Sequence, residues 1–187
     1  MIKSKVMMLY KLRLFIANIL IYIQQKKSAS ENQNINFEKA KTIGLIYQRG
    51  NKLYEVAVTN IIRELVAERK KVYSMEYIRK NHDNDFKLKE KDHHSLRDED
   101  INFFLLPKAN ILKGFCPEHF DIIINLAFED EIRIHHTVAL CSASIKAGFM
   151  TQTHAHLYDL MLDTAGKKDY NDHIPKLINY LKQINKN

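Results

Sequence analysis

Short β-branched apolar runs alternate with segments of helical period. This predicts an α/β fold over residues 41–187: a single Rossmann-like, open, mostly parallel sheet with helices on both faces. Two observations carry the expectation. Residues 120–126 (FDIIINL) hold three consecutive isoleucines, the pattern of a strand buried on both faces. Residues 41–78 read strand, helix, strand with short joins, a βαβ unit whose crossover should be right-handed. The chain has 187 residues, which at roughly 150 per domain leaves one domain and an extension of about 30 residues. That extension is read as a basic, apolar helix (residues 1–27) followed by a polar linker (28–40).

The N-terminal helix is set apart by charge. Lys3, Lys5, Lys11, Arg13, Lys26 and Lys27 are six cations with no acid among residues 1–30, so the rest of the chain keeps 23 Lys+Arg against 22 Asp+Glu. The basic balance belongs to the extension, whereas a nucleic-acid-binding domain would spread its field over the folded surface. Lys11 and Arg13 interrupt the apolar run, leaving an uncharged stretch from 14 to 23, which is short for the roughly 20 residues of a membrane span. Leu9, Leu12, Ile16, Ile19 and Ile23 recur at helical spacing as one stripe, with Lys11, Asn18 and Gln25 on the far side. Such a helix packs on its own domain, on a second copy or on an anionic membrane face. A true span and a cleaved signal are the other readings.

In the body, residues 41–47 read as a buried strand and 48–51 as a turn with Asn51 as helix N-cap. Tyr54, Val58, Ile61 and Leu65 give a helix to about Arg69, and 71–78 the second strand. Residues 79–100 carry six cations, seven acids and three histidines, and read as a solvated loop. Residues 101–106 read as a third, edge strand ended by Pro107. After the central strand come a helix over about 131–143, with Ile134, Val138 and Cys141 inward, and strands at 144–149 and 158–163. A closing helix over 169–185 turns Ile174, Leu177, Ile178 and Leu181 inward. Cys116 and Cys141 are too few for a disulfide scaffold and read as small apolar thiols in a reducing compartment.

Ligands of open α/β sheets bind beyond the carboxyl ends of the strands. That rim offers Gln48, Arg49 and Asn51 after the first strand, and Asn125, Glu129 and Asp130 after the central one. Arg49 beside a helix start could hold a phosphate, and 129–131 could form an acid/base or Mg²⁺ group. The five glycines form neither G-x-G-x-x-G nor a P-loop. His135-His136 and His154-x-His156 with Asp159 invite a metal reading, but spacing fixes no third ligand, and the expectation is exposed histidines. Ser142 and Ser144 lack a nucleophile-elbow context. No catalytic residue, metal or cofactor is assigned.

The pattern Lys41-Thr-Ile-Gly, then 120–126, then Lys146-Ala-Gly-Phe, then Asp159-Leu-Met-Leu-Asp163 resembles a family of small uncharacterised α/β proteins of Bacteroidota, a domain of unknown function. The likeness covers about residues 38–185. It implies the same fold, a cytosolic setting and a similar basic N-terminal helix on a linker. Residues 120–149 are also similar to one unit in the first domain of heptosyltransferase-like enzymes, which use two such domains around a cleft.

The resulting expectation is a cytoplasmic, non-catalytic binding or adaptor module. Its N-terminal helix docks on a protein partner, a second copy or an anionic membrane surface, the last placing it on the inner membrane face. Two other classes stand beside it. One is a small nucleotide- or sugar-phosphate-binding enzyme using the rim. The other is a ribosome- or RNA-associated protein using the six cations.

Overall fold

In chain order the elements are α1 (Ile2–Lys27), β1 (Thr42–Gln48), α2 (Lys52–Ala67), β2 (Lys71–Ile78), β3 (His93–Arg97), α3 (Ala109–Phe115), β4 (Phe120–Asn125), α4 (Ile132–Leu140), β5 (Ala143–Phe149), β6 (Leu160–Leu162) and α5 (Tyr170–Gln183). This computed structural model describes residues 2–27, 36–79, 92–116, 119–151 and 153–183, excepting the side chains of residues 2–4 and 24–27. All six strands run parallel in the order β3-β2-β1-β4-β5-β6. That is the order of a doubly wound sheet, whose direction of winding reverses between β1 and β4.

The β-branched strands alternate their side chains between two cores. Ile43, Leu45, Tyr47, Ile122 and Ile124 meet Val58, Ile61 and Leu65 of α2 and the expected stripe Ile174, Leu177, Ile178 and Leu181 of α5. Ile46, Met75 and Ile123 face the other way, onto Phe115 of α3 and Ile134 and Val138 of α4. A third, smaller cluster joins Ala17 and Ile21 of α1 to Ala139, Leu106 and Leu157. Thus α1 lies on α4 as an outer layer. Phe37 and Ala40, at the end of the segment read as a linker, are buried in the α2–α5 core; residues 28–35 lie outside the described residues.

Three expectations need correction. Residues 93–97 are a strand, not part of a solvated loop. β3 is an edge paired only with β2, so only Leu96 needs to be buried, and its composition stays polar; residues 80–91 lie outside the described residues. Residues 101–106 are a turn rather than a strand. The Asn102 side chain accepts from the backbone N–H groups of Phe104 and Leu106, Leu105 takes φ 60°, and one antiparallel bridge joins Ile101 to Pro107. Cys116 and Cys141 are bonded to each other, not free. They end α3 and α4, which lie on one face of the sheet and lead into the neighbouring strands β4 and β5. The compartment argument built on free thiols loses its basis.

One polar contact ties the carboxyl ends of β1 and β2. Arg49 Nε and Nη2 donate to the two carboxylate oxygens of Glu76 at 2.9 and 2.7 Å, with side chains only 4% and 1% exposed. His93, held by Ser74 at 2.9 Å, brings Nε2 to 3.7 Å from Glu76. Burial pushes the Glu76 carboxyl up, but His93 and Arg49 together hold it below its ordinary value. Removing one partner strands a buried charge, whereas replacing both by apolar groups does not. R49M should therefore lower the unfolding free energy by about 3–5 kcal/mol in urea titrations followed by circular dichroism. The double variant R49M/E76L should recover most of that loss.

Candidate functional site

The parallel sheet delivers every strand end to one edge, and the six rim residues expected from sequence all lie there. They separate into two groups. Asn51 caps α2, its Oδ1 accepting from the Tyr54 N–H at 3.0 Å, and Arg49 grips Glu76. A Cβ on Gly50 would stand 2.7 Å from the Tyr54 ring, so this glycine makes room for Tyr54. The switch point itself is a crevice of about 60 Å³ lined by Gln48, Gly50, Tyr54, Phe128, Glu129 and Lys168, among others. It is far smaller than the roughly 300–1,000 Å³ of a small-molecule pocket. Glu129 pairs there with Lys168 at 3.0 Å and Arg79 at 3.1 Å, and Lys168 is the first cause holding its carboxyl below the ordinary value.

The acids of 129–131 do not converge. Glu131 caps α4 and takes Arg133 and Arg79, both at 2.8 Å, whereas Asp130 turns toward α4 and the segment after β5. There it meets two histidines. Asp130 Oδ1 lies 2.8 Å from His135 Nε2 and 3.2 Å from His154 Nδ1, and its Oδ2 accepts from the Thr153 hydroxyl at 2.9 Å. The two imidazoles stack with centroids 4.3 Å apart and planes 12° from parallel.

A chain of hydrogen bonds supports this group from beneath. The Ala127 N–H donates to Asn125 Oδ1 at 2.9 Å, which turns Asn125 Nδ2 to donate to the Tyr158 hydroxyl at 2.7 Å. That hydroxyl lies 2.7 Å from His135 Nδ1. A Cβ on Gly148 would come within 3.0 Å of the Tyr158 ring, so the glycine at the end of β5 lets the tyrosine cross to His135. The ligand atoms of Asp130, His135 and His154 all lie within 4.8 Å of one another, and these three residues could hold a metal ion.

His135, His136 and His154 are buried, against the expectation of exposed histidines. His136 Nδ1 bonds the Leu105 carbonyl at 2.7 Å, and His119 bridges Ser142 and Ser144. His156 is exposed and Asp159 accepts from the Lys146 N–H, so His154 finds its partners in Asp130 and His135 instead. The sequence raises His135 and His154 as metal ligands but does not join them to Asp130 as the third, and it gives no sign of Tyr158. The signal present was Asp130 in the turn after one strand and His154 in the turn after another. Only the adjacency of β4 and β5 brings those turns together.

A family described as of unknown function (DUF6913) matches residues 14–184. The chain belongs to that family, and the match takes in the half of α1 that packs on the body. Comparisons with curated proteins and with solved structures returned no match.

Burial pushes the pKa of both His135 and His136 down to about 4; the His154 charge adds to the effect on His135, and the carbonyl bond of His136 only partly offsets it. Both gain protons near pH 6.5 when the chain unfolds. Between pH 6.5 and 4 the unfolded state then binds more protons, so stability rises with pH across that window and is lost as pH falls through it. Urea unfolding in chelator-containing buffer should show a slope approaching about 2.7 kcal/mol per pH unit from this pair. H136Q should remove about half of it; an unchanged slope would contradict the assignment.

Proposed function

We propose that the protein is a non-catalytic docking module whose N-terminal helix lays the α/β domain on an anionic membrane surface. The observation that supports this reading is the outer face of α1. At 100° per residue, Met8, Leu12, Phe15, Ile19 and Ile23 lie opposite the Leu14, Ala17 and Ile21 face that meets the body. Met8 is 71%, Leu12 54% and Phe15 64% exposed. A contiguous apolar ridge of this kind is unusual on a monomeric soluble surface and marks an interaction site. Lys5 lies along it, Lys11 borders it beyond Phe15, and Lys3, Lys26 and Lys27 stand at its ends with side chains outside the described ones. An apolar face flanked by unopposed cations is complementary to lipid with anionic headgroups.

The stretch Lys5–Ile23, with mean hydropathy 1.7 over 19 residues, is also long and apolar enough to span a membrane. Two features favour a helix lying on the surface. Arg13 donates from Nε to the Phe103 carbonyl and stacks 4.7 Å from the Phe103 ring, which ties mid-helix charge to the body. Drawing α1 into a bilayer would also strip Ala139, Leu106 and Leu157 of their cover.

Sedimentation of the full chain with vesicles tests the proposal. Binding is expected to phosphatidylglycerol-containing vesicles and to be weak to pure phosphatidylcholine. L12E/I19E should reduce partitioning more than tenfold, since each buried leucine or isoleucine contributes roughly 1.5–3 kcal/mol. L53E, on an exposed apolar site of α2, should leave it unchanged. Vesicle binding that survives L12E/I19E would overturn the reading. So would light scattering showing a dimer that L12E/I19E dissolves and that ignores vesicles, because the ridge would then be a self-association face.

A further inference from the structure

We propose that Asp130, His135 and His154 form a binding site for one divalent transition-metal ion, zinc foremost, in a cleft between the sheet edge and α1. The proposal is independent of membrane docking. Its first support is convergence. Both imidazole nitrogens face the same carboxylate oxygen, at 2.8 and 3.2 Å. Tetrahedral zinc with bonds of about 2.0–2.1 Å spaces its ligand atoms about 3.3 Å apart, so small adjustments would admit the ion.

The second support is an unsatisfied atom. His135 Nε2 is buried and, despite its closeness to Asp130, has no hydrogen-bond partner of acceptable geometry among the described residues. Its ring is 97% shielded from solvent, with the side chain 3% exposed. A buried polar nitrogen without a partner is costly, and a cation placed between it, His154 and Asp130 removes that cost.

The third support is the set of groups behind the ligands. Metal-bound histidines give their other ring nitrogen to a hydrogen-bond partner that fixes the tautomer, and bound carboxylates are themselves hydrogen-bonded. Here Tyr158, oriented by Asn125, lies 2.7 Å from His135 Nδ1, and Thr153 donates to the second oxygen of Asp130. Two imidazoles and a carboxylate suit zinc, iron, cobalt or nickel, not the oxygen-only preference of calcium or magnesium. Three protein ligands leave at least one coordination position for exchangeable water. Beside Asp130 and His154 a cleft of about 290 Å³ opens, walled on the far side by Tyr10, Leu14 and Asn18 of α1.

The test uses the full chain without a histidine tag, stripped with chelator and desalted, then titrated with Co²⁺. One equivalent should produce the visible d–d bands of low-coordinate cobalt, and one equivalent of Zn²⁺ should abolish them. D130N and H154Q should weaken zinc binding about 100-fold or more, and Y158F about 10–100-fold. H156Q, on the exposed neighbour, should bind as wild type does. Absence of saturable, one-equivalent Zn²⁺ or Co²⁺ binding to the wild-type chain by calorimetry would overturn the site without reference to any variant. So would zinc affinity that is the same in D130N or H154Q as in wild type, with circular dichroism showing those variants folded.

Discussion

Every strand of this sheet points the same way, and that constraint organises the rest of the molecule. In a parallel sheet each crossover must return over a face, so every strand-to-helix turn falls at the carboxyl edge. Backbone and side chains that cannot be satisfied by the sheet are concentrated there. The buried Arg49–Glu76 pair closes that edge between β1 and β2. Asn125 closes it at β4 by accepting from its own turn and donating to Tyr158. One step further out, the turns after β4 and β5 bring Asp130 and His154 together beside His135 of α4.

The second organising feature is that α1 is apolar on two sides. Its inner side is narrow: Ala17 and Ile21 are consumed by α4 and the Asn102 turn, and Leu14 lines the cleft beside Asp130. Its outer side is broad and has no cover among the described residues. A helix that served only as a lid on α4 would keep charge on its outer face, as α2 and α5 do with Arg63, Glu64, Asp172 and Lys176. The family match begins at residue 14 and so includes the inner contact, which makes the second half of α1 part of the domain rather than an appendage.

Much of this fold is legible in the sequence because the apolar pattern is strong where both faces are buried. The 120–126 run, the βαβ unit and the α5 stripe all read correctly for that reason. Legibility fails at the margins. β3 shows one buried leucine among polar residues because an edge strand needs no more. Residues 101–106 carry strand-like side chains but obey the hydrogen bonds of Asn102. The Ile21 position, which blurs the polarity of the expected α1 stripe, turns out with Ala17 to make its tertiary contact, and Leu14 lines the cleft beside it. At the rim, Gln48, Arg49, Asn51, Asn125, Glu129 and Asp130 were placed by topology alone, and topology cannot tell a capping Asn51 from a ligand. The grouping of His135 with Asp130 and His154 escaped because those partners come from the turns after two different strands.

The most direct test of the account is the depth of each face of α1 on anionic vesicles. Nitroxide side chains at Leu12, Ile19, Leu14 and Ala17 would be probed by collision with oxygen and with a water-soluble nickel complex. A helix lying on the surface gives lipid-like accessibility at Leu12 and Ile19 only, with Ala17 shielded from both reagents by the body and Leu14, which lines the cleft, not lipid-like. Lipid-like accessibility at all four positions would mean that α1 leaves the domain and spans the bilayer. Water-like accessibility at Leu12 and Ile19 would mean that the membrane is not what covers this face.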